Sequence, residues 1–202
     1  MSETHRDTES AILEAANTVF IRNGFEGTSM QQIADEAGIN KALLHYYFRS
    51  KDKLFEAVFI NAFSKITPMV MEVMKSGTDL FDKIARFIDY YMNLLQSYPQ
   101  IPLFILHELK RNPDHLVEVV QSSGINPGVF ISFVEEEIKK GTIRPVDPMH
   151  LMVNMLAMCI FTFAAQPMIF NVIFRANQEK FDHFMRTRKE EVTSFIINAI
   201  RK

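Results

Sequence analysis

The sequence predicts an all-α fold, and three observations support this prediction. Apolar residues recur at three- and four-residue intervals through most of the 202 residues, which is the spacing of one buried helix face. Glycine and proline number only seven and eight, which favours long helices over an all-β fold. Residues that typically cap helices stand before the apolar segments. The chain is long enough to bury one core, or a small head joined to a larger body.

Charge and cysteine content exclude several classes of protein. Lys and Arg total 22 against 24 Asp and Glu, so the net charge is −2. A basic protein that binds nucleic acid through bulk charge is excluded, and any such site must be a local patch. The single cysteine, Cys159, cannot form an internal disulfide and excludes a cysteine-based zinc site. The first ten residues contain no apolar run, so we expect no signal peptide and a soluble, cytoplasmic protein.

Capping residues define the first two predicted helices. The first is expected to begin at Asp7 or Thr8 and to end at Gly24. Thr28 and Gln31 have the spacing of a capping box and predict a short second helix directly after them. The apolar face of these two helices comprises Ile12, Ala15, Ala16, Val19, Phe20, Met30, Ile33, Ala34 and Ala37.

A tight turn then leads into the third helix. Asn40 is expected to cap the helix Lys41–Tyr46, and only Gly38 and Ile39 separate that cap from the second helix. Two short helices joined in this way form a helix-turn-helix, whose second helix enters the DNA major groove. Residues 41–65 carry five basic and two acidic side chains, a local positive patch in an acidic chain.

The rest of the chain is also predicted to be helical. Ser50 is expected to cap a fourth helix that runs past Pro68 with a kink. The segment from Ile101 to Lys110 is apolar almost all round through Leu106 and should lie deep in the fold. Further helices are predicted from Phe81 to Leu95, after Asn112, from Val129 to Lys140 and from Gln178 to Arg201.

One uncharged segment, from Pro148 to Phe174, is long enough to cross a bilayer. Polar side chains within it and Pro167 near its end argue against a membrane span. The proline predicts two buried helices instead. A helix that is apolar on all sides also suits a subunit interface.

Three linked segments between Ile12 and Val58 are distinctive: I-L-E-A-A-N-T-V-F, N-G-F-E-G-T-S-M-Q-Q-I-A-D-E-A-G-I-N-K and L-L-H-Y-Y-F-R-S-K-D-K-L-F. Together they resemble the tetracycline-repressor (TetR) family of bacterial transcriptional regulators. The resemblance implies an N-terminal three-helix head that binds DNA, residues 1–49, and a helical body that binds an effector and dimerises, residues 50–202. It also implies a repressor that leaves its operator when a small ligand binds. Leu43 and His45 stand where the family frequently has Thr and Tyr, so the operator sequence cannot be carried over.

The resemblance also implies roles for residues of the head. Thr28 and Ser29 precede a helix, whose N-terminus favours a phosphate, although simple capping is the alternative. Lys51 resembles the family's phosphate-contacting lysine. In the alternative interpretation, one of the two tyrosines, Tyr46 or Tyr47, packs in the core instead of contacting DNA. The expected DNA-binding residues are Thr28, Ser29, Asn40, Lys41, Leu43, His45, Tyr46, Tyr47 and Lys51.

Dimerisation is expected because a single head reads too few base pairs to be specific in a genome. The long apolar helix Met149–Ala165 and the last helix are the predicted interface of a homodimer. This interface explains the uncharged segment without a membrane. An entirely intramolecular core is the alternative.

Polar residues inside apolar segments are the candidates for effector contact in the body. Twelve methionines and eighteen phenylalanines suit a deformable cavity, so we expect a largely apolar or aromatic effector. His107 and Glu108 interrupt an apolar helix and bind an effector's polar end or form a core pair. Gln166 is another polar residue of this kind. The expected effector site comprises Tyr90, Tyr91, Phe104, His107, Glu108, Asn154 and Met158.

The sequence carries no complete catalytic motif. His107 and Glu108 begin like a zinc-protease motif, but Arg111 replaces its second histidine. The sequence contains no G-x-S-x-G, P-loop or dinucleotide fingerprint, so we expect no enzyme, cofactor or metal. Two functions remain: a ligand-responsive repressor on a double-stranded DNA operator, and a helical small-molecule-binding or enzymatic protein without sequence-specific DNA binding. Steep salt dependence of DNA affinity would separate them.

Overall fold

The computed structural model describes residues 3–99, 101–111 and 113–202, with side chains except those of 3–6, 62, 63, 65, 66, 104, 107, 108, 111, 115 and 119. Within this part of the chain the protein is helical, with one isolated bridge between Ile143 and Arg201. The first four helices are α1 (Glu3–Asn23), α2 (Met30–Glu36), α3 (Lys41–Tyr47) and α4 (Lys51–Lys75). The others are α5 (Leu80–Ser97), α6 (Ile101–Arg111), α7 (Pro113–Ser122), α8 (Pro127–Lys140), α9 (Pro148–Ala164), α10 (Gln166–Met168), a π-helix (Ile169–Ile173) and α11 (Gln178–Ile200).

The head consists of α1–α3 and is closed by the first half of α4. Leu44 of α3 is fully buried against the core that also contains Ile33 and Ala34 of α2. The Phe20 ring of α1 meets the Phe55 ring of α4 edge-to-face, with centroids 4.7 Å apart. Burial of one aliphatic side chain such as Leu44 contributes about 1.5–3 kcal/mol, so these contacts fix α3 in the head.

The start of α2 differs from the predicted capping box by one residue. Ser29, rather than Thr28, is the N-cap: its hydroxyl accepts the Gln32 N–H at 3.3 Å, and the Gln32 side chain accepts the Ser29 N–H at 2.8 Å. The Thr28 hydroxyl instead donates to the Gly24 carbonyl at 2.6 Å. The predicted pairing of Thr28 with Gln31 is therefore wrong, because Thr28 is used to hold the end of α1.

Helix α4 joins the head to the body without interruption. It continues through Pro68, and the predicted cap Ser50 accepts the Lys53 N–H at 3.2 Å. Helix α5 lies at the centre of the body, since it packs against α4, α8, α9 and α11. The first helix begins at Glu3, before the predicted cap at Asp7 or Thr8. The helix predicted from Phe81 to Leu95 is confirmed as α5, in which Leu80, Ile84, Ile88, Tyr91, Met92 and Leu95 are buried.

The predicted deep burial of the segment Ile101–Lys110 is wrong. Ile101 is buried, but Leu103, Leu106 and Leu109 of α6 are exposed. Helix α6 packs against α7 and α9, and these neighbours leave its Leu103, Leu106 and Leu109 side chains exposed. An apolar sequence gives no information about how many sides of a helix have neighbours.

The uncharged segment is divided as predicted, but the break precedes the proline. Helix α9 ends at Ala164, and Pro167 lies in the first turn of α10, where a missing N–H costs no hydrogen bond. Within a single chain each arm is buried on one side only, and six apolar side chains are 49–70% exposed: Met149, Val153, Phe161, Met168, Val172 and Ile173. Burial of the exposed side in a subunit interface stays a prediction. Within the described residues no single helix is long and apolar enough to cross a membrane; only the two arms combined pass this test, and they are bent by 66°.

Candidate functional site

The turn between α2 and α3 sets the angle between the two short helices. Gly38 has a φ of +66°, a left-handed conformation that favours glycine, and its N–H donates to the Asp35 carbonyl at 3.2 Å. The Ile39 N–H donates to the Ala34 carbonyl at 3.0 Å, which completes a Schellman motif. Asn40 then caps α3 by accepting the Leu43 N–H at 2.8 Å, as predicted. The predicted helix-turn-helix is confirmed in this geometry.

Helix α3 has one buried residue and a polar outer surface. Leu44 faces the core, while Lys41, His45 and Tyr46 are exposed. The Tyr46 side chain is 73% exposed, which is unusual for a large aromatic residue and leaves its phenol in solvent. Leu43 is half-buried beside them. This surface can reach base edges and phosphates in a major groove.

The cations around α3 differ in whether they already have partners. Within the described residues, neither Lys41 nor Arg49 takes part in an ion pair, whereas Lys53 pairs with Glu56 at 2.8 Å. Lys51 is half-buried; its Nζ donates to the Phe25 carbonyl at 2.8 Å and lies 4.4 Å from the centre of the Phe25 ring. Lys51 therefore fastens the loop between α1 and α2 to α4.

Two of the expected DNA-binding residues contribute to the fold. The Thr28 side chain is buried and its hydroxyl is engaged with α1. Tyr47 is half-buried and packs against the head core, with its ring 6.5 Å from that of Phe48. Tyr46 points outward instead, so the structure resolves the alternative between the two tyrosines. Ser29 and Asn40 are exposed caps at the N-termini of α2 and α3.

In the body, Tyr91 is the buried residue among the described members of the expected effector site. Its ring stacks on Phe87 with centroids 5.6 Å apart, and its hydroxyl makes no hydrogen bond within the described part of the chain. Burial raises the pKa of Tyr91 far above its usual value, and the Cys159 thiol adds to this. Burial also raises the pKa of Cys159 to about 12. Both groups stay neutral, so this interior favours uncharged parts of a ligand.

The other expected effector residues are not all brought together. Tyr90 and Met158 are half-buried, and Met158 packs against the core next to Cys159. Asn154 is exposed on α9 and does not share the interior around Tyr91. The side chains of Phe104, His107 and Glu108 lie outside the described residues.

Lys83 is a buried cation that sequence analysis did not single out. It is 1% exposed, and its Nζ donates to the carbonyls of Val73 at 2.8 Å, Met74 at 3.2 Å and Ser76. It also lies 5.0 Å from the centre of the Phe133 ring. The ammonium therefore caps the C-terminus of α4 and fixes it to α5 and α8. The sequence signal that indicates burial of Lys83 is its position among the buried apolar residues of α5, one residue before Ile84.

Comparison with known proteins agrees with this geometry. A model of "Bacterial regulatory proteins, tetR family" matches residues 12–58. The HTH-type transcriptional regulator RutR from Escherichia coli O157:H7 is 31% identical over 154 residues, which cover 71% of this chain and 68% of RutR. The chain belongs to the TetR family. It is a DNA-binding transcriptional regulator, as the resemblance of its N-terminal segments predicted.

Solved structures of the TetR family share the fold over most of the chain. A TetR/AcrR-family regulator from Thermobifida fusca YX-ER1 aligns with a TM-score of 0.67 at 18% identity, over 97% of this chain and 100% of that one. AibR, solved in complex with isovaleryl coenzyme A and operator DNA, aligns with a TM-score of 0.64 at 22% identity, over 78% and 86% of the two chains. The predicted all-α architecture of a helix-turn-helix head and a helical body is confirmed.

Proposed function

We propose that this TetR-family regulator is a repressor, which binds a palindromic operator as a homodimer and is released by a small, largely apolar effector. The observation that carries the proposal is the outer surface of α3, where Lys41, His45 and Tyr46 are exposed opposite the buried Leu44. Such a surface has no role in the core and matches the chemistry of a groove lined by phosphates and base edges.

The contacts with DNA follow from the position of each side chain. Lys41, Leu43, His45 and Tyr46 lie at the start and on the outside of α3, where they reach base edges. Phosphate contacts come from the exposed caps and from half-buried groups at the rim: Ser29, Asn40, Tyr47 and Lys51. Thr28 acts by holding the end of α1 beside them.

The homodimer is supported by an apolar row on α9, which we call the α9 ridge: Met149, Val153 and Phe161. These residues recur at intervals of four or eight and are 55–62% exposed, so one face of the helix lacks a cover. Phe195 of α11 is another exposed apolar residue, at 62%. Two-fold packing of α9 and α11 from two copies would bury this surface and set two α3 helices on one operator.

The effector is supported by the interior around Tyr91. A buried hydroxyl without a hydrogen-bond partner costs about 1–3 kcal/mol, and a ligand that pairs with it recovers that free energy. Its neutral surroundings, with Met158 and Cys159 nearby, favour an apolar ligand body. AibR was solved with an acyl-coenzyme A and operator DNA, so this fold accommodates both kinds of ligand in one protein.

We assign DNA binding to residues 1–49, and effector binding and dimerisation to residues 50–202. The first half of α4 also completes the head core through Phe55, so α4 belongs mechanically to both parts. In this proposal the protein works by binding alone, without catalysis, and acts on the bacterial chromosome in the cytoplasm.

The experiment is a titration of DNA from upstream of the protein's own gene, with excess competitor DNA, at several salt concentrations. Selective, steeply salt-dependent binding is expected for the unmodified protein. Lys41→Ala should weaken it and lower the slope of log affinity against log salt by about one. Lys75→Ala, an exposed lysine at the far end of α4, is the matched control and should leave the slope unchanged.

Failure to bind this DNA should be followed by selection from random operators. Failure of that selection as well would overturn the proposal and favour a helical ligand-binding protein. An operator that activates transcription when occupied would overturn the repressor role alone.

A further inference from the structure

An open cavity of about 560 Å³ lies where the head meets the body, and we call it the joint cavity. Phe20, Ile21 and Gly24 at the end of α1 form its head side. The body side comes from the junction of α5 and α6, from the segment around the break after α9, and from the start of α11. The cavity is separate from the interior around Tyr91, since neither Tyr91 nor Met158 lines it.

The lining of the joint cavity is apolar with three carboxamides and, among the described residues that line it, no charged side chain. Two of the amides are engaged: Asn171 donates to the Pro167 carbonyl and Gln178 to the Asp182 carboxylate, both at 2.8 Å. The side-chain amide of Gln166 makes no hydrogen bond within the described residues. A free amide in an apolar wall favours a neutral molecule with one hydrogen-bonding group.

The cavity and the α9 ridge lie on different sides of α9. Phe161 belongs to the ridge and is 55% exposed, whereas Phe163 lines the cavity and is 7% exposed. Two positions along a helix correspond to about 200° of rotation, so these two side chains point in nearly opposite directions. A dimer built on the ridge therefore leaves the joint cavity open.

The wall of the cavity is made by an irregular stretch of backbone. The chain bends by 66° after α9, continues as the π-helix, and then takes left-handed φ values of 51° at Arg175 and 56° at Ala176. Neither residue is a glycine, so this path costs conformational free energy. π-helical turns and strained backbone both concentrate at ligand sites. The path places Gln166 and Phe170 against the end of α1.

We propose that the joint cavity binds a neutral, mainly apolar small molecule that hydrogen-bonds Gln166, and that its occupancy changes the affinity of the head for DNA. The occupant touches α1 and the body at once. On the head side it contacts Phe20, whose ring also packs on Phe55 in the core that holds α3. The binding step is independent of the proposed repressor role, and the coupling step rests only on DNA binding.

The test uses two fluorescent probes that differ by one charge: neutral N-phenyl-1-naphthylamine and its sulfonated analogue, 8-anilino-1-naphthalenesulfonate. The neutral probe should bind the full-length protein more tightly, because none of the described residues that line the cavity is a cation able to pair with a sulfonate. Leu103→Lys places a charge at the mouth of the cavity. This change should weaken the neutral probe about tenfold and strengthen the anionic probe.

The control is Leu106→Lys, at a similarly exposed position of α6 that does not line the cavity. It should change neither affinity, and both exposed positions tolerate lysine without loss of fold, which circular dichroism verifies. Equal effects of the two lysines, or no effect of either, would overturn the binding site.

Two further variants test the contacts and the coupling. Gln166→Leu should weaken the neutral probe severalfold by removing its hydrogen bond, and Ala164→Phe should weaken it by occupying part of the cavity. The neutral probe should change DNA affinity, and DNA should change probe affinity by the same factor. If the neutral probe binds through Gln166 but the affinity for DNA is unchanged, the coupling is overturned. If the unmodified protein binds no DNA, the proposed function is overturned instead, and probe binding alone still tests the cavity.

Discussion

The head and the body of this regulator are both helical, yet they expose opposite kinds of surface. In the head, α3 buries Leu44 and exposes Lys41, His45 and Tyr46. In the body, α9 buries Met155 and Cys159 and exposes the apolar α9 ridge. A polar surface is stable in water because it is hydrated, and a phosphate can replace that water. Burial of an apolar surface contributes about 25 cal/mol of stabilising free energy per Å², so an exposed apolar surface favours a partner that covers it. The first surface therefore suits DNA, and the proposed homodimer would cover the second.

The largest change in stability and DNA binding is expected from truncating Leu44, the buried residue of α3. Leu44→Ala should reduce the free energy of unfolding by about 2–5 kcal/mol, because the small head cannot refill the cavity. DNA binding should be lost while the dimer persists in analytical ultracentrifugation. Ala42→Ser, exposed on the same helix, is the control for urea unfolding. Full DNA affinity in the Leu44 variant would contradict the role of this residue.

A charge on the α9 ridge should affect the body in the opposite way. Val153→Glu would bury two carboxylates in a two-fold interface and raise the dimer dissociation constant at least about a hundredfold. The monomer should keep its helical content, since Val153 is exposed within one chain. Ser132→Glu, exposed on α8, is the comparison in ultracentrifugation. An unchanged dimer would mean that the interface lies elsewhere.

The connection between the two regions is tested at Lys83. Lys83→Met keeps the length of the side chain but leaves three carbonyls at the end of α4 without their shared donor. We expect a loss of about 1.5–3 kcal/mol in urea unfolding, the range for hydrogen bonds to a charged group. Lys75→Met, exposed in the last turn of α4, should have little effect. Equal losses in the two variants would contradict the capping role.

The smallest effect is expected at Cys159, which reports on the body interior without changing it. Burial raises the pKa of its thiol to about 12, so the folded protein holds almost no thiolate between pH 7 and pH 10. The rate of reaction with a thiol reagent should stay low and nearly flat over this range. In urea the thiol regains an ordinary pKa, and its reaction rate should rise with pH. Fast labelling of the folded protein would show that solvent reaches the interior around Tyr91.

The head was predicted well because its signals are local. Gly38, Asn40 and Ser50 define the ends of helices through hydrogen bonds to residues close in sequence, and all three act as predicted. Leu44, at the fourth position of α3, is buried in the head core. A local pattern of this kind needs no knowledge of the rest of the fold.

The capping box shows where local signals become ambiguous. The run T-S-M-Q-Q offers two hydroxyl and glutamine pairs in the same spacing, Thr28 with Gln31 and Ser29 with Gln32. Contact with α1 decides between them, because the Gly24 carbonyl engages the Thr28 hydroxyl and leaves Ser29 as the cap. The choice depends on a helix that no short window of sequence contains.

The effector candidates and the burial of the body helices depended on tertiary contacts throughout. Asn154 and Tyr91 are both polar residues in apolar segments, yet one is exposed and the other is buried beside Cys159. Lysine is a residue type that is usually exposed, yet Lys83 is buried and its ammonium donates to three backbone carbonyls. By itself, the sequence determined the helices, the recognition turn and the family, since these depend on capping and periodicity within a few residues. Tertiary structure decided which apolar faces stay open and where cavities form, because these depend on which helices pack side by side.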